Sequence, residues 1–286
     1  MNVTPRFLAE TTTMSSHKLL KVLGVVLALS AIMWAVPTYA GVIGYYSYDN
    51  PNDLGADESG NAYHGVVVGD VTAAAGVSGG AAKFGAATGN FIDLPVGDIK
   101  ADGNIPTSNF TLAAFFNVVY KDPSQNPLYA HGQHAIFNPR AGDDTYLLHP
   151  EIRQTDYRFT LRDYGMTAIG DIRPAGAVFD EWHHIAMTWD RAATRMAIYI
   201  DGDLLMEKTD CADRNMAADW DDGARIGLNI DNARQYTGLM DELYLFNETL
   251  SDDAIKALAN VPEPSSIVLA LGATLSVLLL RRKWNS

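Results

Sequence analysis

"EWHHIAMTWDRAATRMAIYIDGDLL", residues 181–205, decides the fold. Met196, Ile198 and Ile200 alternate with Ala197 and Tyr199, the period of two of a half-buried strand. Asp201-Gly202 follows, between that run and a second one. Such a pair is the strongest short-range signal for a hairpin, because both turn residues must tolerate positive φ. Upstream, "HHIAMTWD" is another β-rich run. Neighbouring residues of a strand point to opposite faces, so His183 and His184 cannot chelate one ion together. One is expected in the core, hydrogen-bonded, and the other at the surface.

Outward from this stretch the same pattern recurs. "NFTLAAFFNVV" (109–119) is rich in strand formers, and "GLMDELYLFN" (238–247) sets Leu243 and Leu245 against Tyr244 and Phe246, a strand covered on both faces. Many short strands parted by Gly, Asn and Asp turns predict a sandwich. One helix stands out in "LSDDAIKALAN" (250–260). There Ser251 can cap, Asp252 and Asp253 suit the positive end, and Ala254, Ile255 and Leu258 form an apolar face. With no repeat period and no low-complexity linker, the body is one domain.

Both ends read as sorting segments. Lys18 and Lys21 precede an apolar run from Val22 to Val36, and "PTYA" ends at Ala40, the pattern of a secretory signal peptide. Initiation at Met14 would give a more compact leader than the polar "MNVTPRFLAETTT" allows. At the other end, the apolar run Ile267 to Leu280 is fourteen residues long, which reaches roughly 21 Å as a helix. A hydrocarbon core is about 30 Å thick, so the run is short for a permanent span, yet Arg281-Arg282-Lys283 follow at once as a basic stop. The expected organisation is a signal over 1–40, one domain over 41–260 and a tail over 261–286 with a short membrane segment at 267–280.

Between these ends, Gly41 to Pro264 carries 15 Lys and Arg against 33 Asp and Glu, a net of −18. That balance repels nucleic acid and suits solubility and divalent cations. Exported domains often use disulfides, but Cys211 is the sole cysteine. Stability must come from core burial, and the default for Cys211 is a free thiol.

The tail Val261-Pro-Glu-Pro-Ser265, with its apolar stretch and Arg-rich end, closely resembles the PEP-CTERM sorting signal of Gram-negative bacteria. The resemblance implies that an exosortase, a membrane-embedded cysteine protease, recognises Pro262, Glu263 and Pro264. The segment ending at Arg281 and Arg282 would then hold the protein in the inner membrane only until processing, after which it goes to the cell surface or extracellular matrix.

A second resemblance covers nearly all of Gly44 to Ala259. "IGYYSYDN…DESGNAYHGVVVGDV", "AAKFGAATGNFIDLP", "NFTLAAFFNVV", the 181–205 stretch, "ARIGLN" and "YTGLMDELYLFNETLSDDAIKAL" follow one another in the order seen in LamG-like proteins. These belong to the concanavalin A-like lectin/glucanase superfamily. The segment from Asp122 to Arg173 matches poorly. The resemblance implies an all-β jelly roll of two antiparallel sheets with a short C-terminal helix, flanked by the signal helix and the C-terminal apolar helix. It also implies a structural Ca²⁺ held by Asp57, Asn61, the carbonyl of His64 and Asp241, although Ala62 replaces a glycine often found in that loop. Oxygen-rich turns suit the six to eight ligands that Ca²⁺ takes. Asp143-Asp144 and Asp219, Asp221 and Asp222 read as solvated loops.

Glycosidases on this fold need two carboxylates on one face, roughly 5 Å apart in retaining enzymes. No Glu-x-Asp-x-x-Glu run exists here, and Asp241-Glu242 and Asp180-Glu181 are adjacent residues of expected strands, so each pair points to opposite faces. A polysaccharide lyase needs one base and a few cations, which His149, Arg158, Arg162 and Tyr164 could supply. Lectin-like binding uses aromatic faces, for which Trp220, Tyr157, Tyr164 and Tyr236 are candidates in or near expected loops. The reading is a non-enzymatic exported protein that binds carbohydrate or a matrix protein. The alternatives are a polysaccharide-active enzyme and a purely structural biofilm matrix protein.

Overall fold

The computed structural model describes residues 41–122, 124, 132–142, 146–165 and 167–260. The signal segment, the sorting residues Pro262, Glu263, Pro264, Arg281 and Arg282, the apolar run 267–280 and Asp143-Asp144 lie outside the described residues. No helix among the described residues is long and apolar enough to cross a membrane.

Alternating side chains build the larger, back sheet. Its strands are β1 (Val42–Tyr46), β3 (Val71–Ala75), β4 (Gly80–Phe84), β6 (Asn109–Val118), β12 (His183–Asp190), β13 (Arg195–Ile200), β14 (Asp203–Lys208) and β16 (Gly238–Phe246). They run in the order β14-β13-β12-β6-β16-β4-β3, all pairs antiparallel, and β1 adds to β16. The quoted stretch is β12, β13 and β14. Its hairpin turns on Asp201 at φ 52 and Gly202 at φ 83, as the dipeptide requires.

The front layer consists of two four-stranded sheets. One is β11 (Ala168–Ile172), β10 (Tyr157–Arg162), β9 (Leu148–Arg153) and β7 (Gln133–Ala135), in that order. The other is β2 (Val66–Val68), β5 (Phe91–Asp93), β15 (Gly223–Ile226) and β8 (Phe137–Arg140). They meet at Ile136, whose N–H donates to Pro150 O at 3.0 Å on one side while its carbonyl accepts from Gly227 N at 3.0 Å on the other. An isolated bridge between Arg140 and Tyr146 continues the seam. The resemblance to LamG-like proteins is poor over 122–173. The described residues of that segment form β7, β9, β10 and β11, one sheet of the front layer, and β8 of the other.

Between the layers lie Trp189, Phe110 and Phe116 from the back and Phe137, Phe159, Tyr157 and Trp220 from the front, all fully buried. Among the described residues the buried apolar side chains run from Ile43 to Leu258 and make one core, of the size with which a domain can fold by itself. Helix α1 (Val96–Ala101) is six residues long, has no side-chain cap and buries one residue, Ile99, which leaves little trace in sequence. Helix α2 (Asp252–Ala259) is capped by Ser251, whose hydroxyl accepts from Ala254 N at 3.3 Å, and it buries Ile255 and Leu258.

One edge of β16 forks: β4 pairs with Gly238–Met240 and β1 with Leu243–Phe246. At the fork the ladder to β6 is irregular between Asp241 and Tyr244, and Glu242 takes φ 51. The simple alternation expected for Asp241 and Glu242 therefore fails, because a bulge places an extra residue in the strand. Both carboxyls are buried. Asp180-Glu181 also departs from expectation: the pair precedes β12 in a bend, with Asp180 at φ 62.

Candidate functional site

Strand alternation gathers polar groups on the outer face of the front layer. Leu148 and Ile152 of β9 and Tyr157, Phe159 and Leu161 of β10 belong to the core, so the alternate residues His149, Glu151 and Arg153, and Arg158, Thr160 and Arg162, face away from it. The register sets Arg158 opposite Glu151 and Thr160 opposite His149, with Asp171 of β11 beside Thr160. On the adjoining strands Arg140 and Arg225 take the same face, pairing in register with Gly223 and Asn138.

The segment 227–237, between β15 and β16, lies across this face. Ile230 N donates to Asn138 Oδ1 at 2.9 Å, and Arg225 donates to the carbonyls of Asn229 and Ile230 at 3.4 and 3.3 Å. The segment delivers Arg234, whose Nε reaches Glu151 Oε1 at 3.0 Å and Gln133 Oε1 at 2.6 Å. It also delivers Asp231, which accepts from Tyr146 OH at 2.6 Å and lies 3.9 Å from Arg140.

Glu151 is the hub. His149 Nδ1 lies 3.0 Å from Oε1, and Arg158 lies 3.5 Å from Oε2 and 3.6 Å from Asp171. Burial pushes the Glu151 carboxyl up, but His149, Arg234 and Arg158 more than offset this and hold it below the usual carboxylate range. Burial lowers His149 despite Glu151 beside it. At neutral pH the pair is therefore an anion and a neutral imidazole, which requires Nδ1–H to donate and leaves Nε2 as an acceptor. Tyr146 stacks tilted on His149 with ring centroids 4.9 Å apart, and the Arg140 guanidinium sits 3.8 Å over the Tyr146 ring.

The structure thus brings together His149 and Arg158 of the residues singled out for lyase chemistry, and it places Arg162 on the same face. Tyr164 lies in the β10–β11 turn, 59% exposed. The proposed aromatic platform needs correcting. Trp220, Tyr157 and Tyr236 are buried in the core, where Trp220 packs edge-on against Phe137 and Tyr236 against Phe84, so their faces cannot meet a sugar. Of the four, Tyr164 alone is exposed. Glu151, Arg234, Tyr146 and Arg140 were missed. For Glu151 the signal was the period-two alternation of "LHPEIR" beside "YRFTLR", which puts it on one face with His149 and Arg158, whereas Arg140, Tyr146 and Arg234 lie outside both runs.

The four residues implied for calcium fall into separate hydrogen-bonded groups. Asp57 Oδ1 accepts from Tyr45 N and Ser59 N, both at 2.9 Å, and Oδ2 accepts from Ser59 Oγ at 2.8 Å and Tyr63 N at 2.9 Å. Asn61 donates its amide to the carbonyls of Val42 and Ile43. His64 Nδ1 accepts from Asp57 N at 3.0 Å. These bonds close the 57–64 loop and tie it to β1. Asp241 Oδ2 instead accepts from Val77 N at 2.7 Å and Ser78 N at 3.0 Å, capping the β3–β4 turn at the fork. Its buried Oδ1 has no partner of hydrogen-bonding geometry, only the nearby N–H of Glu242. Burial raises Asp241 to about 7, with Glu242 adding to the effect, and burial raises Glu242 to about 7 as well, with Asp49 and Glu58 contributing. Of the two carboxylates among the four, Asp57 has both oxygens engaged and Asp241 has one without a hydrogen bond. Among the described residues no group of three or more His, Cys, Asp and Glu is arranged around one point.

His184 is buried and His183 partly exposed, on opposite faces of β12. Cys211 is a buried free thiol, and burial raises its pKa. Lys100 pairs with Asp221 at 2.6 Å, and Asp219 Oδ1 accepts from Gly142 N at 3.3 Å.

Two antiparallel layers with a polar outer face define a β-sandwich of the lectin and glucanase kind. The chain belongs to the concanavalin A-like lectin/glucanases superfamily, whose laminin G profile matches residues 95–256. No match was found among curated proteins. Among solved structures, the chain is similar to domain 4 of AbnA, a GH43 extracellular arabinanase from Geobacillus stearothermophilus, in complex with arabinotriose. That match has 17% identity and a TM-score of 0.52, and covers 77% of this chain and 98% of that one. The botulinum neurotoxin serotype G binding domain aligns at 16% identity and a TM-score of 0.59, over 76% of this chain and 50% of that one. The binding domain of Paraclostridial Mosquitocidal Protein 1 aligns at 14% and 0.55, over 77% and 52%. The aligned region thus spans about half the length of those toxin domains.

Proposed function

We propose that this chain is an exported, lectin-like protein of the cell surface or extracellular matrix that binds carbohydrate on the outer face of its front layer. One observation carries the reading: seven of the 15 basic residues of an otherwise acidic body, Arg140, Arg153, Arg158, Arg162, Arg173, Arg225 and Arg234, occupy or border that face. Guanidinium groups set in a plane suit bidentate bonds to the hydroxyls and carboxylates of glycans. The arabinotriose in the complex with the arabinanase domain supports a sugar ligand. Export by the N-terminal signal, transient anchoring in the inner membrane and processing by an exosortase at Pro262-Glu263-Pro264 complete the reading. They rest on the terminal sequences alone. Calcium enters through Asp241, whose spare carboxylate oxygen is a ready donor for a hard cation.

A glycan array probed with residues 41–260 in calcium, with acidic bacterial polysaccharides included, tests this. Saturable binding that weakens at least tenfold in Arg158→Ala supports it. A blank array moves the function to a matrix protein whose partners are other proteins.

The His149–Glu151 pair favours a second reading, a polysaccharide lyase. A neutral imidazole backed by a carboxylate and flanked by arginines could take the proton beside a uronate carboxylate while those cations neutralise it. Ultraviolet-absorbing unsaturated ends would appear on incubation with polyuronates and would vanish in His149→Gln.

A further inference from the structure

Leu204, Leu205 and Met206 of β14 are 44%, 43% and 39% exposed, the one run of three consecutive exposed large apolar side chains among the described residues. Exposed apolar residues are ordinarily scattered singly, and a contiguous group marks contact with a protein or a membrane. The ladder from β14 to β13 shifts register so that Leu205 has no partner. A bulge of this kind blunts an edge against a further strand, so an added strand is not what covers these side chains.

The place where the described chain ends says what does. Helix α2 runs onto the same corner: Lys256 pairs with Asp203 at 3.3 Å, and a Cβ added at Gly202 would lie 3.1 Å from the Ala259 Cβ. From Gly202 to Met206 is four strand residues, about 13 Å. Ile267, where the apolar run begins, follows Asn260 by seven residues, a reach of at most about 25 Å. A tail held in a bilayer therefore keeps this corner of the body within reach of the lipid. Charge permits the approach. At the rim, Asp203, Glu207 and Asp210 pair with Lys256, Arg195 and Lys208, three acids with three bases, in a body that carries 33 acids and 15 bases. Asp252 and Asp253 stand at the opposite end of α2, where they meet its N-terminus. Anionic lipid repels an acidic surface, and this corner is balanced.

We propose that Leu204, Leu205 and Met206 are a membrane-seating surface that rests on the bilayer for as long as the tail anchors the chain, an inference that rests on the anchoring described above. Even a whole acyl chain gives only marginal, reversible membrane binding, so three part-exposed side chains do not hold an acidic body on lipid by themselves. The tether supplies the rest by raising their local concentration at the bilayer. Seating fixes which side of the body faces the membrane, and it is lost with the tether once the tail is removed.

A polarity-sensitive fluorophore reads this directly. Cys211 is buried and such a thiol is inert, so a nitrobenzoxadiazole label goes to an introduced cysteine. Met206→Cys and Leu205→Cys probe the patch. Thr72→Cys is the control, exposed on β3 at the far end of the back sheet, six strand spacings or about 29 Å away. Residues 41–286 are reconstituted into vesicles of phosphatidylethanolamine and phosphatidylglycerol, and flotation shows separately whether the chain is anchored. The labels at Met206 and Leu205 should shift to the blue and lose at least half their intensity to brominated acyl chains, and the label at Thr72 should do neither. All three positions are exposed, and thermal melts report any loss of fold. A chain that does not float overturns the anchoring and the seating together. A chain that floats with the patch labels still in water overturns the seating alone. A blue shift without quenching by bromine would put protein on the patch, a second copy or another segment of this chain, and would overturn it as well.

Discussion

The imidazole of His184 lies edge-on to Phe115, ring centroids 5.0 Å apart, with Nδ1 buried and unpartnered. Burial lowers its pKa to about 4, only partly countered by Asp201. In the unfolded chain the same group titrates near 6.5. Its folded value is the lower one, so the unfolded state binds the extra proton between those values. The associated stability is present above about 6.5 and lost as pH falls toward 4, by up to about 3 kcal/mol. His134 and His149 shift the same way, while His183, Asp241 and Glu242 are raised and act in the opposite direction. The total slope therefore belongs to no single group, and the difference between two proteins isolates His184. Urea unfolding of native and His184→Leu chains from pH 7 to 4 should show the variant losing less stability. Parallel profiles would mean the ring is accommodated when charged. Glu151 poses a second question at this scale. Glu151→Ala leaves Arg158 and Arg234 facing each other without the buried anion, and losing one partner of such a cluster costs about 3–5 kcal/mol. A loss under about 1 kcal/mol at neutral pH would show that water already shields the arginines.

The fork in β16 is where simple strand rules stop working. An alternating run predicted opposite faces for Asp241 and Glu242, but one edge of the strand must serve β4 and then β1, and the bulge absorbs the change. Asp241 holds the fork by accepting from Val77 N and Ser78 N through a single oxygen. Asp241→Ala would strand two part-buried N–H groups and should cost roughly 1–3 kcal/mol. Asp241→Asn keeps one carbonyl oxygen for both donors and should stay within about 1 kcal/mol of native at neutral pH. Equal losses in the two variants would mean that volume, not hydrogen bonding, matters there. Gly238, where β16 begins, is fixed differently. Its φ is +135, and a Cβ would meet Asn117 O at 2.3 Å. Regular strands were legible because period-two alternation is local: β6, β12, β13 and β16 and the Asp201-Gly202 turn all lie where the pattern put them. Helix α1 and the bulge were not, since one is too short to show a period and the other arises from which strands neighbour β16. The site residues were half legible for a related reason. Sequence shows that Trp220 and Tyr236 sit outside regular strands, but not that their segments fold back into the core.

At the scale of the molecule, charge is segregated. The body carries 33 acidic residues against 15 basic ones, and much of its positive charge lies on one face of the front layer, bound to Glu151, Asp171, Asp231 and Asp93. An excess of one sign destabilises a compact state through self-repulsion. Monovalent salt screens that repulsion with a Debye length of about 8 Å at physiological strength, so sodium chloride alone should raise the unfolding temperature. Calcium would do this too by screening, which makes a bare melting shift ambiguous. Matched ionic strength separates the two effects. Cation binding at Asp241 would stabilise the folded state by RT ln(1 + [Ca²⁺]/Kd), about 2.7 kcal/mol at a hundredfold excess over Kd. It would also draw the Asp241 carboxyl back to its charged form. The native 41–260 body should therefore melt several degrees higher in calcium than in sodium chloride of equal ionic strength, and EDTA should abolish the excess. Asp241→Asn should keep the screening shift and lose the excess. If native and variant respond alike, calcium acts on the acidic surface as a whole, and the fork at Asp241 is held by its backbone hydrogen bonds alone.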